Sequence, residues 1–334
     1  MPAFHIPPSW SIDERLATPE STYLDRRQIV RALGLGAIGL AMPSLACAQQ
    51  QPAGGAAGAG PSLRPAVGDG YDDLFPAPRN ASYTIGDRKV TDATIEGSYN
   101  NYYEFTTAKD QVWRLAESYV ARPWTIEVEG KVKKERTLDL DDVFRRFKLE
   151  ERVYRFRCVE RWAMQVPWTG FPLRALIDHC EPDPSARYVR FDTVLDKPKM
   201  PGVREQPWYP WPYTEALRLD EARHPLAFVA VGSYGKPMPM QHGAPLRLAL
   251  PWKYGYKSVK SIVKIRFTKR RPGTFWNDLQ PSEYGFYSNV EPHKPHPRWS
   301  QQWEQDIGTQ ETRKTLPYNG YEKEIGGLYD GSET

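Results

Sequence analysis

Cysteine is scarce in this sequence: the chain of 334 residues contains 3 cysteines. So few thiols exclude a disulfide-rich scaffold, a four-cysteine zinc site and a four-thiolate iron–sulfur cluster. The C-x-x-C-H motif that attaches haem is also missing from the sequence. If the protein carries out redox chemistry, its electrons must therefore arrive from another protein.

A strong charge of one sign and a long apolar run are lacking as well. The net charge is +4 at pH 7, and acidic and basic residues are interleaved, so nucleic acid is not indicated as a partner. The apolar run over residues 32–46 is too short for a transmembrane helix. With 40% hydrophobic and 26% charged residues, the chain fits neither a disordered protein nor a polytopic membrane protein.

The first 48 residues have the features of an export signal. The pair Arg26-Arg27 precedes the apolar run, which closes on the small residues Ala46-Cys47-Ala48. This pattern predicts a signal peptide for the twin-arginine translocase over residues 1–48, cleaved after Ala48, and a periplasmic location. Such substrates commonly fold around a cofactor before export, so a prosthetic group is expected. The G-x-G-x-x-G at Gly34–Gly39 lies inside this segment with no strand before it, and is rejected as a dinucleotide site.

The rest of the chain reads as one α+β domain with mixed sheets, short helices and long loops. We expect a flexible leader over 49–70, the domain over 71–303 and a polar C-terminal extension over 304–334. The 31 prolines, 11 tryptophans and 19 tyrosines favour short strands separated by ordered loops. The patterns predict strands at Thr125–Gly130, Arg152–Cys158, Tyr188–Thr193, Leu226–Val231, Pro245–Leu250 and Ser261–Thr268, and helices at Leu140–Phe147, Leu173–His179 and Tyr213–Leu219.

Cys158 is the first candidate for chemistry. It follows an alternating stretch and is flanked by Arg157 and Arg161, and nearby cations favour the thiolate that binds metals or attacks electrophiles. In an oxidising compartment a disulfide with Cys180 is the alternative, and spacing alone favours it. Both interpretations stay open at this point.

Polar and basic residues mark two further candidate segments. Asn100–Phe105 concentrates amides, phenols and a carboxylate in six residues, which suits a polar ligand but is also common in turns. Arg247, Lys257 and Lys260 follow glycines and are able to bind phosphate, or to form the solvated edge of a strand. The basic run over residues 131–136 is interpreted as a solvated hairpin tip, and the run over 269–271 as the solvated end of a strand.

Several of these segments, in this order, resemble the catalytic subunits of the periplasmic protein-methionine-sulfoxide reductases, in the sulfite-oxidase group of molybdenum enzymes. The resemblance extends over nearly the whole chain. It is carried by the following matches: Pro8-Ser9-Trp10, Ala17-Thr18-Pro19-Glu20, the twin arginines, Asn100–Phe105, Arg155–Glu160, Phe191-Asp192-Thr193, Gly243–Ile262, Glu283–Val290 and His296–Gln301.

The resemblance implies a sulfite-oxidase-like fold and a molybdenum–molybdopterin cofactor without a nucleotide extension. Cys158 would be the thiolate ligand of molybdenum. The cofactor-binding residues carried over by position are Asn100, Tyr103, Glu104, Thr193, His242, Arg247, Ser258, Val259 and Lys260. At His242 the family usually has asparagine, which leaves a hydrogen-bonding group in place. Glu160, two residues past the ligand, is a candidate catalytic proton-handling residue, or else forms a salt bridge with Arg157 or Arg161.

The activity implied is the reduction of methionine sulfoxide in oxidised periplasmic proteins, with electrons passed from quinol by a haem b membrane subunit. Protein substrates require an open mouth, which exposed aromatic residues would line; the candidates are Trp208, Trp211, Tyr284 and Tyr287, of which at least half are expected in the core. A sulfite dehydrogenase of the same fold is the nearest alternative. A non-catalytic exported binding protein with a Cys158–Cys180 disulfide is the other.

Overall fold

Two mixed β-sheets carry the fold in the computed structural model, which describes residues 61–68 and 70–330. The predicted signal peptide and most of the predicted leader lie outside these residues. The helices are short and connect the strands: α1 (Ala93–Ser98), α2 (Val112–Ala116), α3 (Leu140–Arg146), α4 (Leu173–His179), α5 (Pro201–Glu205), α6 (Leu219–Arg223), α7 (Phe275–Leu279) and α8 (Glu322–Ile325). The α+β class predicted from the sequence is confirmed.

The smaller sheet has the strand order β2-β1-β10-β5-β6. Its members are β1 (Thr125–Gly130), β2 (Arg136–Asp139), β5 (Tyr188–Thr193), β6 (Thr214–Arg218) and β10 (Ile262–Thr268). Strands β1 and β10 run parallel, and the other neighbours are antiparallel. The alternating burial of β1, with Ile126 and Val128 inward, is what its alternating sequence predicts.

The larger sheet is built around one long strand, β4 (Trp162–Pro172). It pairs on one edge with β3 (Glu150–Arg157), and on the other with β7 (Phe228–Ser233) and β11 (Trp303–Asp306). The remaining members are β8 (Lys236–Pro237), β9 (Arg247–Ala249) and β12 (Thr312–Lys314). All residues of β7 are buried, so this sheet forms the centre of the core.

One helix prediction is wrong: Tyr213–Leu219 was expected to be helical, but residues 214–218 form strand β6. The stretch Thr-Glu-Ala-Leu-Arg has fair helix propensity, yet it pairs antiparallel with β5 along its length. Its Glu215 is fully buried and lies 2.5 Å from the Nζ of Lys257. Pairing across the sheet and burial of that carboxylate outweigh the local preference. Helix α6 begins only at Leu219.

The predicted boundary at residue 303 falls inside β11. Glu304 and Asp306 are buried in that strand, which pairs in parallel with Trp162 and Ala163 of β4. The first residues of the C-terminal extension therefore belong to the larger sheet. Among residues 61–68 and 70–330, no helix combines the length and apolar character needed to cross a membrane.

Candidate functional site

A cavity opens beside the carboxyl end of β3 and the amino end of β10; its empty space, together with the solvent-filled mouth, is about 950 Å³. Its wall is formed by the segment before α2, the β3–β4 turn, the loops that precede β6 and β10, and helix α7 with the loop that follows it. Most of the predicted site residues line it: Asn100, Tyr103, Glu104, Cys158, Glu160, Thr193, Arg247, Ser258, Val259 and Lys260. Segments far apart in the sequence thus meet at one place.

Cys158 lies in the tight turn that joins β3 to β4. Its backbone N–H donates to the carbonyl of Trp162 at 2.9 Å, and its carbonyl accepts from the N–H of Arg161 at 3.0 Å. Arg161 adopts a φ of 73°, which closes the turn. The two strands on either side are hydrogen-bonded along their whole length, so the thiol is held on rigid structure.

The Cys158 thiol is buried and accepts a hydrogen bond from the side-chain amide of Asn101, with Nδ2 3.4 Å from Sγ. The Oε2 of Glu160 lies 3.6 Å from the same sulfur. Burial, with a further contribution from Glu160, raises the pKa of the thiol to about 12. Arg157 lowers the pKa of this thiol, as expected of a flanking cation, but burial outweighs it and the metal-free site favours the protonated thiol. A bound cation reverses this preference, since coordination deprotonates a thiol.

Arg157 turns away from the sulfur and supports the turn from behind. Its Nε is 3.2 Å from Oε2 of Glu304, and its Nη2 donates to the side chain of Gln301 at 2.9 Å. It also donates to the carbonyl of Cys158. Glu304 pairs in addition with Arg88 at 2.6 Å, so one buried carboxylate holds two buried guanidinium groups.

Glu160 has partners other than those expected. It accepts a hydrogen bond from Asn101 at 3.1 Å, and its Oε1 lies 3.1 Å from the Nζ of Lys109. The expected salt bridge with Arg157 or Arg161 is wrong. Burial opposes ionisation, but the contacts with Asn101 and Lys109 hold the pKa of Glu160 below its ordinary value. A carboxylate is therefore placed next to the predicted metal ligand at neutral pH.

Cys180 lies elsewhere, at the carboxyl end of α4, where it is fully buried in the core. Both Cys158 and Cys180 are free thiols. The disulfide that spacing alone favours is therefore contradicted, and with it the binding protein that depended on it. Burial raises the pKa of the Cys180 thiol to about 12, as it does for Cys158, but Cys180 does not line the cavity and is interpreted as structural.

The polar segment before α2 forms one wall of the cavity. Asn100 is anchored by its amide, which donates to the carbonyl of Gly97 at 3.0 Å. Tyr103 packs edge-on against Trp276, with ring centroids 5.2 Å apart. Glu104 is buried, and this burial raises the pKa of its carboxyl to about 7.

The basic residues of the cavity lie on the opposite wall. Arg247 is buried with its guanidinium carbon 4.9 Å from the ring centre of Trp168, and it donates to the carbonyl of Ser258 at 3.2 Å. Lys260 donates to the carbonyl of Asn101 at 2.6 Å, which joins the two walls. Gly243 has a φ of 102° and no room for a side chain, because a Cβ there would lie 2.6 Å from Lys260.

His242 is the one predicted cofactor residue that does not line the cavity. Its Nε2 lies 2.7 Å from Oε2 of Glu96, and both side chains are almost fully buried. Glu96 itself lines the cavity. The structure thus places the carboxylate of Glu96, in contact with the imidazole of His242, at this part of the cavity wall.

Further cavity residues were not identified from the sequence. Asn101 lies in the polar segment but was not assigned a role, although it contacts both Cys158 and Glu160. The others are mainly aromatic or apolar and have no signature in a single sequence: Tyr99, Tyr102, Phe156, Trp162, Met164, Trp168, Tyr213, Tyr256 and Trp276. Of the four aromatic residues expected at the mouth, Tyr284 lines the cavity and Trp208 is 69% exposed outside it.

The cavity fits a polar cofactor. Among the described residues that line it, four buried polar atoms have no hydrogen-bond partner: Glu96 Oε2, Asn101 Oδ1, Trp168 Nε1 and Thr193 Oγ1. Of these, Glu96 Oε2 lies within ion-pair distance of His242. Buried polar atoms are normally paired, and orphaned ones gathered at one cavity indicate a ligand that would satisfy them. Arg247 and Lys260 add two cations suited to a phosphate.

Comparison with known proteins shows the class of the chain and then its family. Residues 114–276 match the family described as oxidoreductase molybdopterin binding domain. The protein-methionine-sulfoxide reductase catalytic subunit MsrP of Xanthomonas axonopodis pv. citri is 44% identical over 95% of this chain and 94% of its own length. The subunit of the same name from Pseudomonas syringae pv. tomato is 42% identical over 98% of this chain and 97% of its own. The chain belongs to the family of MsrP catalytic subunits.

A solved structure is also similar to this chain, with lower sequence identity and lower coverage. The sulfane dehydrogenase SoxCD of Paracoccus pantotrophus shares 12% sequence identity, with a TM-score of 0.43 over 55% of this chain and 45% of that one.

Proposed function

We propose that the protein reduces methionine sulfoxide in oxidised proteins to methionine at a molybdenum–molybdopterin centre. The observation that carries the proposal is the free, buried thiol of Cys158 in a polar cavity, with Asn101 and Glu160 in contact with it. Family membership supports the same conclusion.

Cys158 would hold the metal, and the two walls would hold the pterin and its phosphate. Arg247 and Lys260 are the groups suited to the phosphate, because one offers a planar fork of donors and the other a point charge. Thr193, Trp168 and Asn101 offer the unpartnered polar atoms. We propose the cofactor without a nucleotide extension, as the family resemblance implies.

When bound, the molybdenum centre supplies the two-electron reduction that converts a sulfoxide to a thioether. The overall reaction also consumes two protons and releases one water. Glu160 is placed to handle one of these protons, since its carboxylate lies beside the Cys158 sulfur and contacts Lys109 at 3.1 Å. Asn101 orients both groups by donating to each.

The charges near Cys158 favour a neutral substrate over an anion. The cation closest to Glu160 is Lys109, which that carboxylate already pairs with. Arg247 and Lys260 belong to the deep wall assigned to the phosphate. Besides Lys109, Asn101 and Cys158, aromatic residues lie around Glu160: Trp162 donates to its carboxylate at 3.4 Å, and Tyr99 packs against Trp162. Sulfur compounds interact favourably with aromatic rings, whereas the sulfite dianion would meet the Glu160 charge.

We further propose that the protein acts in the periplasm after export by the twin-arginine translocase and cleavage after Ala48. Its electrons would come from a haem b membrane subunit fed by quinol. The arginine pair before the apolar run supports the first part, and the absence of a haem-attachment motif in the sequence supports the second.

The test is a pair of assays of the purified holoprotein: a methionine-sulfoxide protein with a reduced dye as electron donor, and sulfite with an oxidised dye as electron acceptor. We expect turnover with the sulfoxide alone. Cys158→Ser should lose bound molybdenum and at least about a thousandfold in turnover, because the thiolate ligand is gone. Cys180→Ala is the matched control and should keep both its bound molybdenum and its turnover. Sulfite oxidation by the wild type, or unchanged turnover in Cys158→Ser, would overturn the proposal.

A further inference from the structure

The two basic runs, residues 131–136 and 269–271, are far apart in the sequence. In the structure they meet at one end of the smaller sheet. Strand β1 ends at Gly130 and leads into Lys131, and the parallel strand β10 ends at Thr268 and leads into Lys269. The antiparallel strand β5 begins at the same end, directly after Arg187. The N–H of Lys131 donates to the carbonyl of Phe267, which ties the first run to the end of β10.

The surface formed there is called the basic end. Six of its side chains are exposed and take part in no ion pair within the described residues: Lys131, Lys134, Arg187, Lys269, Arg270 and Arg271. Arg187 uses its guanidinium to bond the carbonyls of Pro184 and Ala186. Arg271 lies over the ring of Phe286 at 5.4 Å. None of these contacts involves a carboxylate, and among the carboxylates of this end Asp183 lies near Lys131.

Three carboxylates, Glu135, Glu181 and Asp183, lie in the same segments as eight basic side chains, which leaves a surplus of five positive charges (8 − 3). Glu181 pairs with Lys133 at 3.2 Å and with Arg136 at 2.8 Å. The carboxylate of Asp183 accepts the N–H of Ser185, and Glu135 accepts the N–H of Gly130. The chain carries a net charge of only +4, so a surplus of this size at one end is a marked asymmetry.

The basic end also lacks apolar anchors. The large apolar side chains exposed among the described residues are Val90, Leu115, Val120, Leu195, Trp208, Trp303 and Leu316, and none belongs to the segments that form this end. Specific protein interfaces depend on buried aromatic and apolar anchors. Several mobile cations without such anchors suit a diffuse anionic surface, above all the phosphodiester headgroups of a lipid bilayer.

We propose that the basic end binds the surface of a membrane rich in anionic phospholipid. The cofactor cavity lies at the other end of the same sheet, where β5 ends at Thr193 and β10 begins after Lys260. Seven residues of β10 separate the two ends, which is about 20 Å. Binding at the basic end therefore leaves the mouth of the cavity open to a protein substrate. This inference does not rest on the proposed reaction.

The test is co-sedimentation of the holoprotein with phosphatidylcholine vesicles that contain or lack phosphatidylglycerol. We expect binding only to the anionic vesicles, and its loss at about 0.5 M salt, where the Debye length falls to about 4 Å. Replacing Lys269, Arg270 and Arg271 by Gln should weaken the apparent affinity by about 10- to 100-fold, and Lys131→Gln with Lys134→Gln by about 10-fold.

The matched control neutralises three exposed lysines elsewhere, Lys89, Lys294 and Lys323, which changes the net charge equally. That variant should bind as the wild type does, and thermal unfolding checks that every variant is folded. Equal binding to both kinds of vesicle, or equal loss in the control, would overturn the proposal. Failure to bind anionic vesicles would also overturn it and would leave an acidic protein surface as the partner for this end. Sulfoxide turnover with a dye is measured in parallel and should be unchanged in every variant.

Discussion

At the scale of single residues, Thr193 has a buried hydroxyl that is available to bind a ligand. Its hydroxyl is buried at the end of β5, lines the cavity and has no hydrogen-bond partner among the described residues. A buried hydroxyl without a partner destabilises the protein by about 1–3 kcal/mol, and a ligand that accepts or donates a hydrogen bond there recovers this energy.

Thr193→Val should therefore separate stability from cofactor binding. The variant keeps the shape of the side chain, so the free energy of unfolding of the cofactor-free protein should stay equal or rise. Cofactor affinity should fall by about 10-fold or more, because a hydrogen bond to the ligand is lost. Urea unfolding of the apoprotein and the molybdenum content after dialysis of the holoprotein measure the two effects. A less stable apoprotein with full molybdenum content would contradict the role.

Glu104 and Lys260 give the cofactor-free protein an unusual pH dependence. Burial raises the pKa of Glu104 to about 7, with Lys260 opposing, and burial lowers the pKa of Lys260 to about 7, with Glu104 opposing. The stabilisation from Glu104 is present below its unfolded pKa and is lost as the pH rises to 7. The stabilisation from Lys260 is present above the pKa that this lysine has in the unfolded chain, and it is lost as the pH falls to 7.

We expect these two residues to make the apoprotein least stable near neutral pH. The free energy of unfolding, measured in urea at about pH 5, 7 and 9, should pass through a minimum at pH 7. The double variant Glu104→Gln with Lys260→Met should flatten that minimum. A maximum near pH 7 that the double variant removes would mean that the two groups form a stabilising ion pair instead.

The residue types of the site could be predicted from the sequence better than their partners. Cys158, Asn100 and Lys260 stand in matched segments, and the cavity contains them. The neighbours of Glu160 could not be predicted, since Lys109 and Asn101 come from a loop 50 to 60 positions away. His242 was carried over by position, but the carboxylate of Glu96 that it contacts is visible only in the folded chain.

At the scale of elements, strand β11 supports the turn that contains Cys158, through the carboxylate of Glu304. Glu304 of this strand lies between the guanidinium groups of Arg88 and Arg157, and all three side chains are buried. Arg157 in turn donates to the carbonyl of Cys158.

Glu304→Gln should destabilise the protein by about 3–5 kcal/mol, since two buried cations lose their common counter-charge. It should also lower the molybdenum content, because the turn that holds Cys158 loses its support. Urea unfolding and metal analysis measure both. Glu311→Gln, at the exposed pair with Arg313, is the matched control and should change stability by less than about 1 kcal/mol. Equal effects in the two variants would show that Glu304 has no special role.

Strands were predictable where their sequence alternates and not where it is uniformly buried. Strands β1 and β5 have the predicted bounds because one face of each is apolar. Strand β4 is not predicted, since almost all its residues are buried and Pro167 lies in its interior. It is nevertheless the centre of the larger sheet, which a local pattern does not reveal.

For the whole molecule, removal of the cofactor should loosen the cavity without unfolding the sheets. The core is made of the two sheets and their helices, and β7 is buried independently of the cavity. A ligand that binds the folded state alone raises its stability by mass action, so the apoprotein should melt at a lower temperature.

Hydrogen exchange of the apoprotein and the holoprotein checks where this difference lies. Exchange should speed up in residues 100–104, 158–160 and 258–260 and stay unchanged in Phe228–Ser233, while circular dichroism shows the same strand content. Loss of protection in β7 as well would mean that the cofactor is part of the core.

The parallel pairing of β11 with β4 has a consequence for biosynthesis. Gln305 pairs with Trp162, so a segment made about 140 residues later (305 − 162) pairs with a strand made earlier. Arg157, beside Cys158, finds the buried carboxylate of Glu304 only after that late segment has left the ribosome. Cofactor loading is therefore expected only after Glu304 has been synthesised, and a product truncated between Cys158 and Glu304 would have the cysteine but not the support that holds it in place.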